Sequence, residues 1–506
     1  MHRRDFIIGG FGLMASAGFG VAAKLPWDAN EGAAFDGSMV RQLARELAQT
    51  AYAAPNDPLP PEFKDLSYDA YRTIRFRPEQ ALWREGDLPF QVQLFHRGFL
   101  FKQRVNVYEV SQGRARPIQY SPAQFTFQGT SAPKPDASMG YAGFRLHSRL
   151  NRADYFDEVA IFLGASYFRA VAKGQVFGLS ARGLSINTGD SKGEEFPSFR
   201  SFWIERPAKG AQSMVVHALL DSPSTTGAYR FTIRPGESTV SDVEVALYPR
   251  VEIAQPGLAT LTSMFQFDAH DRGGADDFRP AVHDSGGIAI HTGSGERLWR
   301  PLANPRDLQV SSFGDTNVRG FGLLQRNRSF EAFEDLEAHY EKRPTAWVEP
   351  IGDWGEGQVM LYEIPTKNEY NDNIVAFWRP KEPFQPKREY IYTYRLHWTN
   401  ADPTAPDLPT FVRSRQGAAG ENRRVFVLDA VGERLKKLPA GAKVRGEVSS
   451  SKGRIHDVVT QPNPHTGGWR LSFVLEPEKA PAVELRARLM HEQDVLSETW
   501  LYRWTP

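Results

Sequence analysis

No cysteine occurs anywhere in the 506 residues. That excludes disulfides, thiolate nucleophiles and cysteine-ligated metals. The fold must hold itself by burial, which a chain of this length can do. Charge of one sign is missing as well: 61 Lys and Arg face 60 Asp and Glu, the net charge is +1, and no long single-sign run appears. Neither nucleic acid nor an acidic lipid surface is therefore an expected partner. Beyond the N-terminal leader no stretch is apolar enough to cross a membrane. There is no His-Glu-x-x-His zinc pattern, no Gly-x-x-x-x-Gly-Lys phosphate loop and no strand-linked dinucleotide fingerprint. The nearest approach to a nucleophile elbow, Gly178-Leu179-Ser180-Ala181-Arg182, has Arg182 where a glycine is required. The chain is expected to use neither a metal nor a cofactor.

What is present begins with Met1-His2-Arg3-Arg4-Asp5-Phe6-Ile7-Ile8-Gly9-Gly10. Paired arginines precede a mildly apolar, glycine-rich run from Phe6 to Val21, and Val21-Ala22-Ala23 offers a cleavage site before Lys24. This is the pattern of a twin-arginine signal, which exports a folded protein to the periplasm. Residues 1–23 are assigned to it.

The rest reads as strands. Met39-Val40-Arg41-Gln42-Leu43-Ala44-Arg45-Glu46-Leu47-Ala48 is an early helical exception, and Phe330 to Tyr340, with acidic residues crowding its first turns, is expected to be a second helix. Elsewhere short alternating runs such as Val243-Glu244-Val245-Ala246-Leu247 lie between Gly, Pro, Asn and Asp, as an antiparallel all-β chain requires. Three prolines in Ala401-Asp402-Pro403-Thr404-Ala405-Pro406-Asp407-Leu408-Pro409 mark a linker. After it the alternation is cleaner. Trp469, Leu471, Phe473 and Leu475 share one face, as do Val483, Leu485, Ala487 and Leu489, and as do Trp500, Tyr502 and Trp504. The expected fold class is all-β: a large extended β-sandwich (24–400), a linker (401–409) and a smaller immunoglobulin-like β-sandwich (410–506), with few short helices.

In such a chain the chemically capable groups are carboxylates, and two suffice to hydrolyse a glycosidic bond. Two polar stretches stand out in apolar surroundings. Arg279-Pro280-Ala281-Val282-His283-Asp284-Ser285-Gly286-Gly287 puts Asp284 on a turn beside a proton partner. Glu363-Ile364-Pro365-Thr366-Lys367-Asn368-Glu369-Tyr370-Asn371-Asp372-Asn373 puts Asp372 at the mouth of a strand. The plain alternative is that both aspartates cap turns. The many Trp and Tyr residues could stack on sugars, but a large β core uses the same residues.

These stretches also carry a family resemblance. Tyr68-Asp69-Ala70-Tyr71-Arg72-Thr73-Ile74-Arg75-Phe76-Arg77-Pro78, Phe162-Leu163-Gly164-Ala165-Ser166-Tyr167-Phe168-Arg169, Gly178-Leu179-Ser180-Ala181-Arg182-Gly183 and Gly193-Glu194-Glu195-Phe196-Pro197 come first. Arg319-Gly320-Phe321-Gly322-Leu323-Leu324-Gln325-Arg326, Arg343-Pro344-Thr345-Ala346-Trp347-Val348-Glu349-Pro350 and Asp372-Asn373-Ile374-Val375 follow in the same order. Across almost the whole mature chain this resembles the periplasmic glucan biosynthesis proteins G and D (OpgG/OpgD, formerly MdoG/MdoD), and the leader is more like the D branch. The resemblance implies a role in making osmoregulated periplasmic glucans, with endo-acting, inverting hydrolysis of β-1,2-glucan, or chain transfer to a cyclic product, as the activity. It implies Asp372 as general acid and Asp284 as general base, with Tyr340 contacting substrate and Trp347 and Trp354 as candidate sugar-stacking residues. The family pattern at the base is Asp-Ser-Asp-Gly, and here Gly286 replaces its second aspartate, which bears on both the base and the activation of water. The implied partners are a β-glucan and a membrane glucan synthase, with a second copy of the chain as a further candidate. The competing reading is a non-catalytic glucan-binding or assembly protein working with that synthase.

Overall fold

A computed structural model describes residues 32–506 apart from 129–131, 134, 135, 405 and 440. The twin-arginine signal expected over residues 1–23 lies outside the described residues. Strands dominate, and among the described residues only four short α-helices occur. Ser38–Leu47 is the helix expected from the early periodicity, and it buries Val40 and Ala44 against the sheet.

Two wide sheets make the sandwich. The nine-stranded sheet runs in the order Gln309–Thr316, Glu356–Glu363, Ile374–Pro380, Pro256–Ser263, Ser180–Ile186, Tyr167–Ala170, Asp157–Leu163, Gly143–Ser148, Phe90–Phe95. The centre of the sixteen-stranded sheet runs Ser198–Glu205, Met214–Asp221, Thr225–Arg234, Thr239–Pro249, Tyr390–Thr399, Thr345–Ile351, Gly320–Leu324, Gly287–His291, Arg297–Pro301. Alternation explains the core between them. Val243, Val245 and Leu247 point inward together, and Phe144, Phe162 and Phe168 of one sheet meet Phe202 and Phe231 of the other at ring separations of 5.0–5.6 Å.

Residues after 409 surround a second apolar cluster, in which Leu471, Phe473, Leu475, Val483, Leu485, Ala487, Leu489, Trp500, Tyr502 and Trp504 are all buried. Thr410–Ala418, Arg424–Val431, Gly468–Glu476 and Arg454–Asn463 form its four-stranded sheet. Its other wall is not a separate sheet. Thr499–Trp504 pairs in parallel with Arg297–Pro301, so that Val483–His491 and Val444–Ser450 extend the sixteen-stranded sheet. The proline-rich stretch is tethered: Arg297 reaches Asp402 at 2.7 Å and the Thr404 carbonyl. Arg326 makes a two-pronged pair with Glu498 at 2.6 and 2.8 Å, stacks on Trp299 at 3.6 Å, and Glu498 also accepts the Phe411 N–H.

The helix expected from Phe330 to Tyr340 does not form. Single 3-10 turns at Phe330–Ala332 and Tyr340–Lys342 flank irregular chain. Asp335 accepts the N–H groups of Glu337 and Ala338, a local alternative to helical hydrogen bonds, and Glu334 and His339 take positive φ of 52° and 48°.

Glu498 is 4% exposed, and its removal takes both carboxylate bonds from Arg326, leaving it the Phe411 carbonyl alone, and strands the Phe411 N–H. Glu498→Ala should cost about 3–5 kcal/mol of unfolding free energy, measured by urea titration.

Candidate active site

The two sheets deliver the two aspartates. Asp284 lies between Val282–His283 and Gly287–His291, which belongs to the sixteen-stranded sheet. Asp372 lies just before Ile374–Pro380 of the nine-stranded sheet. One short segment, Ser263-Met264-Phe265, is bonded to both neighbourhoods. The Asp284 N–H donates to the Met264 carbonyl and the Asn373 N–H to the Ser263 carbonyl. The Asn373 carboxamide accepts from the Phe265 N–H and donates to the Phe265 and Ile364 carbonyls, all at 2.8–2.9 Å. The hydroxyls of Ser263 and Ser285 share a bond of 2.8 Å.

The result is a polar pocket lined by Arg169, Gly178, Met264, Asp284, Tyr340, Arg343, Glu369, Tyr370 and Asp372. Its cavity of about 30 Å³ holds one or two water molecules. Burial first, and then the nearby charge of Asp284, raise the Asp372 carboxyl to about 6 against the opposing pull of Arg169 and Arg182. Asp284 is buried and lies 3.5 Å from the Arg343 Nε, which also donates to the Ala338 carbonyl. Gly178 is glycine because a methyl there would lie 2.9 Å from Arg343 Cδ. Ser180 and Arg182, the remnant of the nucleophile-elbow pattern, sit on a strand. Arg182 is buried against Glu194 at 2.6 Å and Thr262 at 3.0 Å.

Of the residues expected from the sequence, Asp284, Asp372 and Tyr340 come together. Tyr340 is buried, and its hydroxyl donates to Glu369 at 2.9 Å. Trp347 and Trp354 do not join them. Trp347 is fully buried on the face toward the C-terminal cluster, packed where Gly320 leaves room for its indole. Trp354 is 5% exposed, lies edge-on to Tyr392 and Tyr394, and donates to the Thr393 carbonyl. Both are core residues with no face open to a sugar. Among the polar pocket residues, sequence reasoning passed over Arg169, Arg343, Glu369 and Tyr370. The first two lie inside the family landmarks and the last two inside the polar stretch before Asp372, so the signal was there without a role attached.

At Gly286, an added Cβ would sit at ordinary distances, 3.5 Å from His283 and 3.7 Å from the Gln325 Oε1. That oxygen is buried without a hydrogen-bond partner among the described residues, so it would repel a carboxylate at 286. Asp284, not position 286, faces the pocket. Among the described residues, no group of three or more His, Asp or Glu side chains is arranged to hold a metal.

The model of the family described as "Periplasmic glucan biosynthesis protein, MdoG" matches residues 35–504. The chain belongs to this family. It is a periplasmic protein of glucan biosynthesis. A glucans biosynthesis protein G of Rhodopseudomonas palustris is 61% identical over 472 residues, 93% of this chain and 94% of that one. One from Bradyrhizobium diazoefficiens is 54% identical over 508 residues and the full length of both chains. One from Vibrio cholerae is 49% identical over 478 residues, 93% of this chain and 87% of that one. All three bear the G name, against the D-like leaning of the leader.

Two outcomes follow from the site's construction. Asn373 is 2% exposed and its side chain makes three hydrogen bonds, so Asn373→Ala should cost about 2–4 kcal/mol in urea unfolding. The Asp372 carboxyl stands above its ordinary 3.8, so the fold favours its protonated form. This group's contribution to wild-type stability is therefore lost as pH rises from about 4 through about 6, and Asp372→Asn has no such contribution to lose. The variant should gain about 3 kcal/mol on the wild type between those limits, read by unfolding at both ends.

Proposed function

We propose that this chain is an endo-acting, inverting β-1,2-glucan hydrolase or a transglycosylase. The observation that carries the reading is the pairing of Asp372, held protonated up to about pH 6, with Asp284 in one pocket that has room for water. Asp372 gives its proton to the glycosidic oxygen as the bond from that oxygen to the anomeric carbon breaks. A water molecule, or a sugar hydroxyl in the transfer reaction, attacks the same carbon from the opposite face. Asp284 takes the proton that the attacking oxygen releases. An inverting pair leaves roughly 6.5–9.5 Å between its carboxyl groups for that water. The Arg343 Nε lies 3.5 Å from the Asp284 carboxylate.

A second reading has its own support. Gly286 departs from the family pattern, and the two tryptophans are core residues. A protein that holds a nascent glucan beside a membrane glucan synthase, alone or as a homodimer, needs no acid–base pair. We include export by the twin-arginine route in the proposal, since Arg3-Arg4 and Val21-Ala22-Ala23 support it.

Purified protein incubated with linear β-1,2-glucan and followed by mass spectrometry separates these readings. Shorter linear products mean hydrolysis, products lighter by one water mean cyclisation, and unchanged glucan that is demonstrably bound means a holding role. If the enzyme reading is right, Asp372→Asn lowers turnover about 10²–10⁴-fold while leaving the unfolding transition cooperative, and the wild-type rate falls as pH rises beyond about 6. Wild-type turnover in Asp372→Asn would remove Asp372 from the mechanism.

A further inference from the structure

Besides the strand that bears Arg169, three separate stretches of chain supply the polar groups of the pocket, and one side chain touches all three of them. Asp284 follows Arg279 by five residues. Tyr340 and Arg343 follow Asp335, and Asp372 follows Glu369. The Arg279 Nη1 donates to Asp335 Oδ2 and to Glu369 Oε2, both at 2.8 Å. Its Nη2 and Nε donate to the two oxygens of Asp277 at 2.7 and 2.9 Å. Arg279 is 8% exposed, and the side chains of Asp335 and Glu369 are 6% and 9% exposed. The partners hold their own loops in turn. Asp335 Oδ1 accepts the N–H groups of Glu337 and Ala338, which shapes the irregular approach to Tyr340. Glu369 Oε2 accepts the Tyr340 hydroxyl at 2.9 Å beside Arg279. Arg272 braces the hub from behind by donating to the backbone carbonyls of Asp277 and Arg279.

We propose that Arg279 is the positioning residue of the site: its guanidinium clasps the three loops and so fixes Asp372 and Tyr340 relative to Asp284. The planar fork is what the role needs. Five donors in a fixed plane reach three carboxylates at once, which a lysine ammonium on a flexible stem cannot do. The charge is needed as well, because without it three close carboxylates repel one another and push the loops apart. Asn373 anchors the acid loop on its C-terminal side, and Arg279 through Glu369 anchors it on its N-terminal side. Arg279 is not among the residues lining the pocket, so it acts through the groups that are. Its kinetic consequence rests on the acid–base reading of Asp372 and Asp284, whereas its structural consequence does not.

The test compares the full-length wild type with Arg279→Lys, Arg279→Met and Glu369→Gln by amide hydrogen exchange and by kinetics on linear β-1,2-glucan. In Arg279→Met, exchange across residues 333–343 and 366–372 should quicken at least about tenfold, with the strand Gly143–Ser148 unchanged. Arg279→Lys should recover little of that protection, and Glu369→Gln should loosen 366–372 while sparing 333–338. If the wild type turns over glucan, kcat in Arg279→Met should fall about 100-fold, with KM within about threefold and little rescue by lysine. Unchanged exchange in both loops overturns the proposal, and so does a raised KM with kcat intact, which would make Arg279 a substrate contact. If the wild type does not turn over glucan, the acid–base reading fails and exchange alone decides the clasp. If Arg279→Met does not fold, Arg279→Lys and Glu369→Gln carry the same decision.

Discussion

The site depends on a hydrogen-bonded rail, the segment Ser263-Met264-Phe265 between the two sheets. The Met264 carbonyl takes the Asp284 N–H, and the backbone of Ser263 and Phe265 holds Asn373 by three bonds. Each aspartate is thus one residue or less from an atom fixed to the same three residues. A sandwich can slide or twist its sheets slightly against one another, because apolar packing is not directional. Groups that must stand at a set separation therefore need a directional link across the gap. Backbone hydrogen bonds of about 2.8–3.0 Å supply it here, in a region where leaving them unmade would be costly.

Around that rail the electrostatics are divided by element. Cations gather beside Asp284 and Asp372 in the form of Arg343 and Arg169, while Arg279 gathers Glu369 of the pocket wall with Asp277 and Asp335 behind it. Yet Asp372 is still raised, because burial and its twin carboxylate outweigh the cation nearby. A carboxyl raised in this way beside a second carboxylate that has an arginine at 3.5 Å places two acids of one type in unlike surroundings.

Much of this was legible in the sequence. The strict alternation of 469–475, 483–489 and 500–504 gave the C-terminal core residue by residue, because side chains on a half-buried strand must alternate. Asp284 and Asp372 were legible as polar residues at strand ends. What could not be read were contacts at long separation: Arg279 with Asp335 and Glu369 lies 56 and 90 residues from its partners, and no local pattern encodes such a pairing. The expected helix after Phe330 failed for the same reason, since Asp335 is spent on Arg279 and on its own backbone. Trp347 and Trp354 misled because an indole suits a sugar face and a sheet core equally well. Only the glycines opposite, such as Gly320, say which was chosen, and they lie on another strand.

The parallel joint between Arg297–Pro301 and Thr499–Trp504 has a consequence for how the molecule is made. The last of the described strands to leave the ribosome is an interior strand of the widest sheet, with a neighbour on each side. Until it arrives, Arg297–Pro301 is an open edge, with its backbone groups ready to pair with any other chain. The strands synthesised two hundred residues earlier must wait, half-assembled, and the apolar cluster around Trp299 and Trp500 cannot close. Closure of this part of the sheet therefore waits on Thr499–Trp504, and the interval before that strand docks is one in which an open edge is exposed to aggregation.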